Sequence, residues 1–274
     1  MSNSEVYKKF RSKFDKDGVV LINDVWNSEI IDKVRDEYDQ LDKSLKRNDI
    51  ESDVKDEPLI VFWKHVVGEK KRLATFSEFP SLWKLITDHI VPITKSMLGD
   101  ENLKLQLLET IIFNKPGETS NTLHWHQDVA YFPFEPNDQI ACWIPFEPVD
   151  EENGALRYAL GSHKHGLRGS THLHTREEYD DNENPLIPSD PEKAGFEVKC
   201  MKMSPKDMLL HDGFTWHYST PNKVPGTNRR GLSVRMIKNE AFYKPRAGTA
   251  AAFLKQIDVK EGEKFKGKPF PVIG

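Results

Sequence analysis

The stretch KLQLLETIIF, residues 104–113, opens a series of short segments rich in β-branched and aromatic residues. It is followed by IACWIPFEPV (140–149), ALRYAL (155–160), FEVKCMKM (196–203), DMLLHD (207–212) and LSVRMI (232–237). Turn-forming sequences separate them: Asn-Lys-Pro-Gly at 114–117, Glu-Pro-Asn-Asp at 135–138, Glu-Glu-Asn-Gly at 151–154, Ser-Pro-Lys-Asp at 204–207 and Val-Pro-Gly-Thr at 224–227. Short strands punctuated in this way predict a sandwich, jelly roll or barrel.

Upstream of residue 103 the character differs. Residues 4–17 read as a polar helix, and GVVLINDV (18–25) as a compact apolar strand. Ile30, Ile31, Val34, Tyr38 and Leu41 fall at helical spacing within 27–46, behind a cap at Asn27 or Ser28, and 80–98 reads as a second amphipathic helix. Residues 47–58 are acidic and poor in apolar side chains, which suits a solvated loop or a lid. Residues 167–194 interrupt the strand series with a long polar segment of the kind that is functional or disordered. From about Lys255 the chain is rich in Lys, Gly and Pro and is expected to wrap the surface. The expected architecture is mainly β with flanking helices (α+β). One domain is expected over 1–274: a helical flank at 1–102, a β core at 103–240 and a C-terminal extension at 241–274.

Composition narrows the function classes. Of 274 residues, 37% are apolar and 30% charged, and the net charge is only −4, so nothing points to nucleic acid or an anionic membrane as partner. The longest apolar runs, such as Gly18–Ile22, are far too short to span a bilayer. Two cysteines, Cys142 and Cys200, argue against a disulfide framework and suit a reducing compartment, and no apolar signal core follows the first residues. A cytoplasmic protein acting on a small molecule is expected; the oligomeric state is left open.

The chemistry concentrates in Leu123-His124-Trp125-His126-Gln127-Asp128. Side chains two apart on a strand share a face, so His126 and Asp128 can aim at one metal ion while Trp125 and Gln127 point away. A third ligand must return from elsewhere, and His217 in TWHYST is the candidate. Two imidazoles and one carboxylate form the facial triad of non-haem Fe(II) oxygenases, with three positions left open. His124 shares the strand face of His126, so a site of His124, His126 and His217 is a geometric alternative.

His-Trp-His-Gln-Asp followed by Tyr131-Phe132-Pro133-Phe134 resembles the phytanoyl-CoA dioxygenase family of Fe(II)/2-oxoglutarate oxygenases. Asn153-Gly154-Ala155-Leu156 and Gly161-Ser162-His163 resemble its next block, although Ala159 stands near its usual proline. His217-Tyr218-Ser219, Asn222 and Arg229-Arg230-Gly231-Leu232-Ser233 resemble its distal block. The resemblance covers roughly 106–237 and implies a double-stranded β-helix (jelly roll, cupin-like) core, with iron on His126, Asp128 and His217 and 2-oxoglutarate and O2 as co-substrates. It implies an arginine after the distal histidine for the far carboxylate. The Arg-Arg-Gly-Leu-Ser alignment favours Arg229; two-residue alternation with Leu232 would suit Arg230. Ser219, Trp143, Ile111 and Gln127 complete the implied co-substrate set, and Lys64 resembles an N-terminal family lysine. Because Asp128 keeps its carboxylate, hydroxylation is the expected outcome. A metal-dependent isomerase, a binding protein or an oxygenase acting on a protein residue are the competing readings.

Four other histidines form the pairs His163/His165 and His172/His174 in or near the polar insert, as a second metal site or, more plainly, a solvated loop. His211 lies close enough in sequence to His217 to orient a ligand. Tyr131, Phe132, Arg157 and Trp216 are candidates for the mouth of the site, where basic and aromatic side chains would suit a small, polar substrate that is anionic or zwitterionic.

Overall fold

The computed structural model describes residues 7, 9–45, 56–65, 71–118, 122–179, 183–238, 240–246, 248–249 and 252–274. The bulk of the 47–58 segment lies outside these residues. Helix α1 (Arg11–Asp17) ends at Gly18, whose φ of 74° accommodates a left-handed cap, and turns directly into β1 (Val19–Ile22). Helix α2 (Ser28–Ser44) begins where the Asn27 side chain accepts a hydrogen bond from the Glu29 amide at 2.9 Å. Its buried stripe, Ile31, Val34 and Tyr38, packs on the sheet, with Tyr38 stacked on Phe62 at 5.2 Å. After β2 (Leu59–Lys64) and β3 (Arg72–Thr75), the second predicted helix forms as α3 (Pro80–Leu85), a π turn (Ile86–Ile90) and α4 (Val91–Leu98). Pro92 cannot donate to the preceding turn, and the wide π turn absorbs the lost bond.

The remaining strands are β4 (Leu105–Pro116), β5 (Leu123–His126), β6 (Phe134–Glu135), β7 (Gln139–Pro145), β8 (Leu156–Ala159), β9 (Val198–Cys200), β10 (Met208–Asp212), β11 (His217–Ser219), β12 (Asn228–Lys238), β13 (Phe242–Tyr243) and β14 (Val272–Ile273). They build an eight-stranded mixed sheet in the order β1-β10-β7-β12-β4-β2-β3, with β14 also on β4, and a separate four-stranded sheet β5-β11-β8-β9.

The closed double-stranded β-helix or jelly-roll core expected from the sequence is not formed. Closure requires a sheet's two edges to hydrogen-bond. Here the N-terminal third supplies strands as well as helices. β1 adds to β10 at one edge, while β2 runs parallel to β4 and brings the β2–β3 hairpin to the other. Extended at both ends, the large sheet stays open, and the fold is α+β with an open mixed sheet.

β4 and β12 lie at the centre, and nearly all of their residues are buried. One face carries Ile112, Leu232, Val234, Cys142 and Ile144 into the core under the helices. The other face looks toward the four-stranded sheet, and the functional side chains collect there. Near the C-terminal end, Phe253, Phe265 and Phe270 are buried in a cluster with Phe132 and Phe134.

Candidate metal centre

His126 is the last residue of β5, and His217 the first of β11; they are cross-strand partners with ring centroids 4.2 Å apart. Asp128 lies just past the strand, at the start of a short 3-10 turn (Asp128–Tyr131), and still reaches the same space. One ligand atom from each of the three lies within 4.8 Å of the others, and all three residues are buried. Among the described residues this is the one such cluster.

The protonation states suit a metal. His126 Nδ1 bonds the His124 carbonyl at 2.7 Å and His217 Nδ1 the Thr215 carbonyl at 3.0 Å. With Nδ1 donating, each Nε2 keeps its lone pair toward the shared space. Burial lowers His126 to about 4 and, with the neighbouring His126 ring, holds His217 well below the usual histidine value, so both rings are neutral at physiological pH. Burial alone would raise the Asp128 carboxyl, but Arg235, the His211 hydrogen bond and His217 overcome it and hold it well below the ordinary range. Arg235 spans two carboxylates, Asp128 Oδ1 and Glu109 Oε2, at 3.0 Å each. His211 Nε2 lies 3.2 Å from Asp128 Oδ2, and its Nδ1 lies 3.1 Å from the Tyr158 hydroxyl. The anion is thus held and aimed from two sides, and two neutral nitrogens and one carboxylate oxygen converge on a single point.

His124 does not join. The β5–β11 register pairs His217 with His126 but Ser219 with Leu123, leaving an extra residue in β5. That bulge breaks the two-residue alternation, and His124 turns to the His174 carbonyl instead.

Two cavities meet at the triad and share His126, Phe113, Leu123 and Arg235. The inner one, about 30 Å3, is lined by Trp143, Ser219 and Arg229 from the sequence-derived set, together with His65, Lys115 and Ser233. Arg229 is buried over the Trp143 ring at 5.6 Å and donates to the Gly154 carbonyl at 2.9 Å. Arg230 points the other way, to Glu147 and Asp39. Strand alternation on β12 separates them: Arg229, Gly231, Ser233 and Arg235 share the cavity face. Ile111 lines the outer cavity, of about 200 Å3. Gln127 lines neither; its amide serves Gly166, Phe214 and Arg168. Lys64 also lines neither, whereas its neighbours Trp63 and His65 line the outer and inner cavity respectively. Tyr131 and Phe132 do wall the outer cavity, Arg157 and Trp216 do not, and Leu173, His174 and Tyr179 of the polar insert close it. His163 and His165 make separate contacts, to the Asp15 carbonyl and the Phe196 ring, so the four insert histidines build no metal cluster among the described residues.

Lys115 was hidden in the sequence. Asn-Lys-Pro-Gly reads as a turn, yet β4 runs through to Pro116, and alternation from Ile111 through Phe113 brings Lys115 onto the site face. Its ammonium donates to Ser219 Oγ and the Thr220 carbonyl at 2.8 Å and to the Ser219 carbonyl at 3.3 Å. No carboxylate of the described residues meets it, and burial followed by the Arg229 charge drives its pKa well below the usual lysine value.

A buried pair of neutral imidazoles and a carboxylate, open toward two cavities, is the facial triad of the Fe(II)/2-oxoglutarate-dependent oxygenases. The sequence matches the phytanoyl-CoA dioxygenase (PhyH) family over residues 14–231, and the chain belongs to that family. A probable phytanoyl-CoA dioxygenase of Caenorhabditis elegans is 33% identical over 104 residues, 35% of this chain and 33% of that protein. The peroxisomal phytanoyl-CoA dioxygenase of Homo sapiens is 26% identical over 205 residues, 73% of this chain and 56% of that protein. The matches thus span between a third and just over half of these relatives' length. In fold, the chain is similar to the non-haem alpha ketoglutarate dependent carbocyclase SnoK from nogalamycin biosynthesis, with a TM-score of 0.73, 18% identity and coverage of 100% of this chain and 99% of that one. The cytoplasmic location expected from composition is overturned by these relatives, since the human, bovine, rat and mouse enzymes are peroxisomal. A polar surface with few cysteines fits an organelle's matrix as well as the cytosol, so composition could not separate the two.

Proposed function

We propose that the protein is a dioxygenase that hydroxylates a small molecule while converting 2-oxoglutarate and O2 to succinate and CO2. The observation that carries this reading is the placement of the triad between a cationic inner cavity and a largely apolar outer one. His126, Asp128 and His217 hold Fe(II), whose redox chemistry couples O2 to the oxidation of both 2-oxoglutarate and substrate. Arg229 anchors the far carboxylate of 2-oxoglutarate, with Lys115 and Ser219 beside it, because a buried guanidinium and ammonium without a carboxylate partner in the cavity favour an anion there. Trp143 and Ile111 shape the walls against the co-substrate's carbon chain. Arg235 and His211 keep Asp128 ionised and aimed. The outer cavity receives the substrate, and Phe132, Leu173 and Phe113 keep water from the reacting position. The residues that border the two cavities come from 63 to 235, which supports reading the described residues as one catalytic unit.

The test is succinate formation from 2-oxoglutarate under air, with and without Fe(II). Turnover is expected to require iron and to vanish in Asp128→Ala. Iron-independent turnover, or an unchanged rate in that variant, refutes the proposal.

A further inference from the structure

Lys71 stands immediately before β3 and lines the outer cavity. Its ammonium lies 4.2 Å from the centroid of the Trp63 ring. Among the described residues it forms no hydrogen bond and no ion pair. Of the other polar groups on this wall, the Tyr179 hydroxyl makes no hydrogen bond among the described residues, while the rest are engaged. Glu109 and Asp128 share Arg235, the Tyr131 hydroxyl donates to the Thr171 carbonyl at 2.7 Å, and His174 Nδ1 bonds the Thr122 carbonyl. Glu109 attracts Lys71, but burial outweighs that attraction and lowers the lysine's pKa. An aromatic face compensates only part of the hydration that a cation loses on burial. Once a divalent cation occupies the triad, Asp128 is committed to it. Glu109 still faces Arg235 and attracts Lys71 from a distance, and the Lys71 ammonium keeps no direct hydrogen-bonding or ion-pair partner among the described residues.

The cavity's size limits what can fill it. At about 200 Å3 it falls below the roughly 300–1,000 Å3 typical of sites for drug-sized ligands. Trp63, Ile111, Phe113, Leu123, Phe132 and Leu173 give it an apolar wall.

Resting on the functional reading above, we infer that Lys71 is the specificity-determining residue for a compact carboxylic acid. The acid's carboxylate pairs with the ammonium, and its apolar body lies against the aromatic wall with a C–H toward the triad. A long acyl thioester offers no carboxylate to the ammonium.

The experiment uses two matched probes, 4-methylpentanoate and 4-methylpentanamide, added anaerobically to the iron- and 2-oxoglutarate-loaded protein. Binding is read from the shift of the visible charge-transfer band and, independently, by calorimetry with and without iron. The acid is expected to bind at least tenfold more tightly than the amide. Lys71→Met should remove that preference while leaving the 2-oxoglutarate band in place, and Lys71→Glu should shift preference to 4-methylpentylamine. The inference is overturned if acid and amide bind alike, or if Lys71→Met keeps the parent's preference. It is equally overturned if Lys71→Met loses the band itself, which would make Lys71 a co-substrate group. If the parent shows no band but calorimetry finds a Lys71-dependent preference for the acid, this inference stands and only the co-substrate reading fails.

Discussion

Lys115 offers the sharpest quantitative test of the inner cavity. It is fully buried, its donors meet only neutral oxygens, and Arg229 repels its charge. Its folded pKa lies well below the unfolded value of about 10.4. A base with a depressed folded pKa carries a stability penalty that is complete below that folded pKa and disappears above the unfolded one; stability therefore rises with pH between the two. A carboxylate arriving beside Lys115 and Arg229 reverses the local field and raises the lysine's pKa again. Binding of 2-oxoglutarate should therefore be linked to proton uptake across the pH range in which Lys115 changes charge. His65, whose pKa is lowered chiefly by burial and then by Lys115, stays neutral at mildly alkaline pH and adds nothing. A hydrogen bond to a charged partner contributes about 1.5–3 kcal/mol, so Lys115→Met should weaken 2-oxoglutarate about tenfold to a hundredfold. The assay is anaerobic calorimetry of the Fe(II) protein in buffers of different protonation enthalpy, where the slope counts the protons. A positive slope in the parent that disappears in Lys115→Met is expected. A flat slope in the parent, or an unchanged Kd in the variant, would refute the reasoning.

Arg235→Met leaves two buried carboxylates, Asp128 and Glu109, without their shared cation; removing one partner of a buried pair costs about 3–5 kcal/mol. Chemical denaturation of the metal-free protein at neutral pH should show this loss, and a change below about 1 kcal/mol, the size of a surface pair, would contradict it. Gly231→Ala places a methyl group into the Trp143 indole on the cavity face of β12. Overpacking of this kind costs about 1–3 kcal/mol, and because Trp143 lies under Arg229, 2-oxoglutarate affinity should fall as well. Stability and affinity both at parental values would show that the indole has room to move.

The three metal donors were legible because each carries distinctive chemistry and sits in a short block. The resemblance favoured Arg229 over Arg230 through its motif, and the facing of β12, which the β4 and β7 registers fix, turns Arg229 to the cavity side. What the sequence hid has definite causes. His124 was misplaced by a one-residue bulge, which no periodicity reveals. Lys115 was masked by a turn signature that the chain overrides because β12 keeps pairing out to Pro116. Arg235 sits in an apolar strand with no motif to mark it, and its role depends on Glu109, which is far away in sequence. The open sheet was missed for a similar reason: β2 is recruited parallel to β4 through nonlocal pairing that short-range pattern cannot register. The helices fared better, since Asn27 and the stripe behind it are local signals.

The most direct measurement of the central claim is the visible metal-to-ligand charge-transfer band of the anaerobic protein titrated with Fe(II) and 2-oxoglutarate. The band should appear in the parent, be lost in Asp128→Ala and require higher 2-oxoglutarate in Arg229→Ala. No band in folded, iron-loaded parent protein, or an undiminished band in Asp128→Ala, would contradict the assignment of this site.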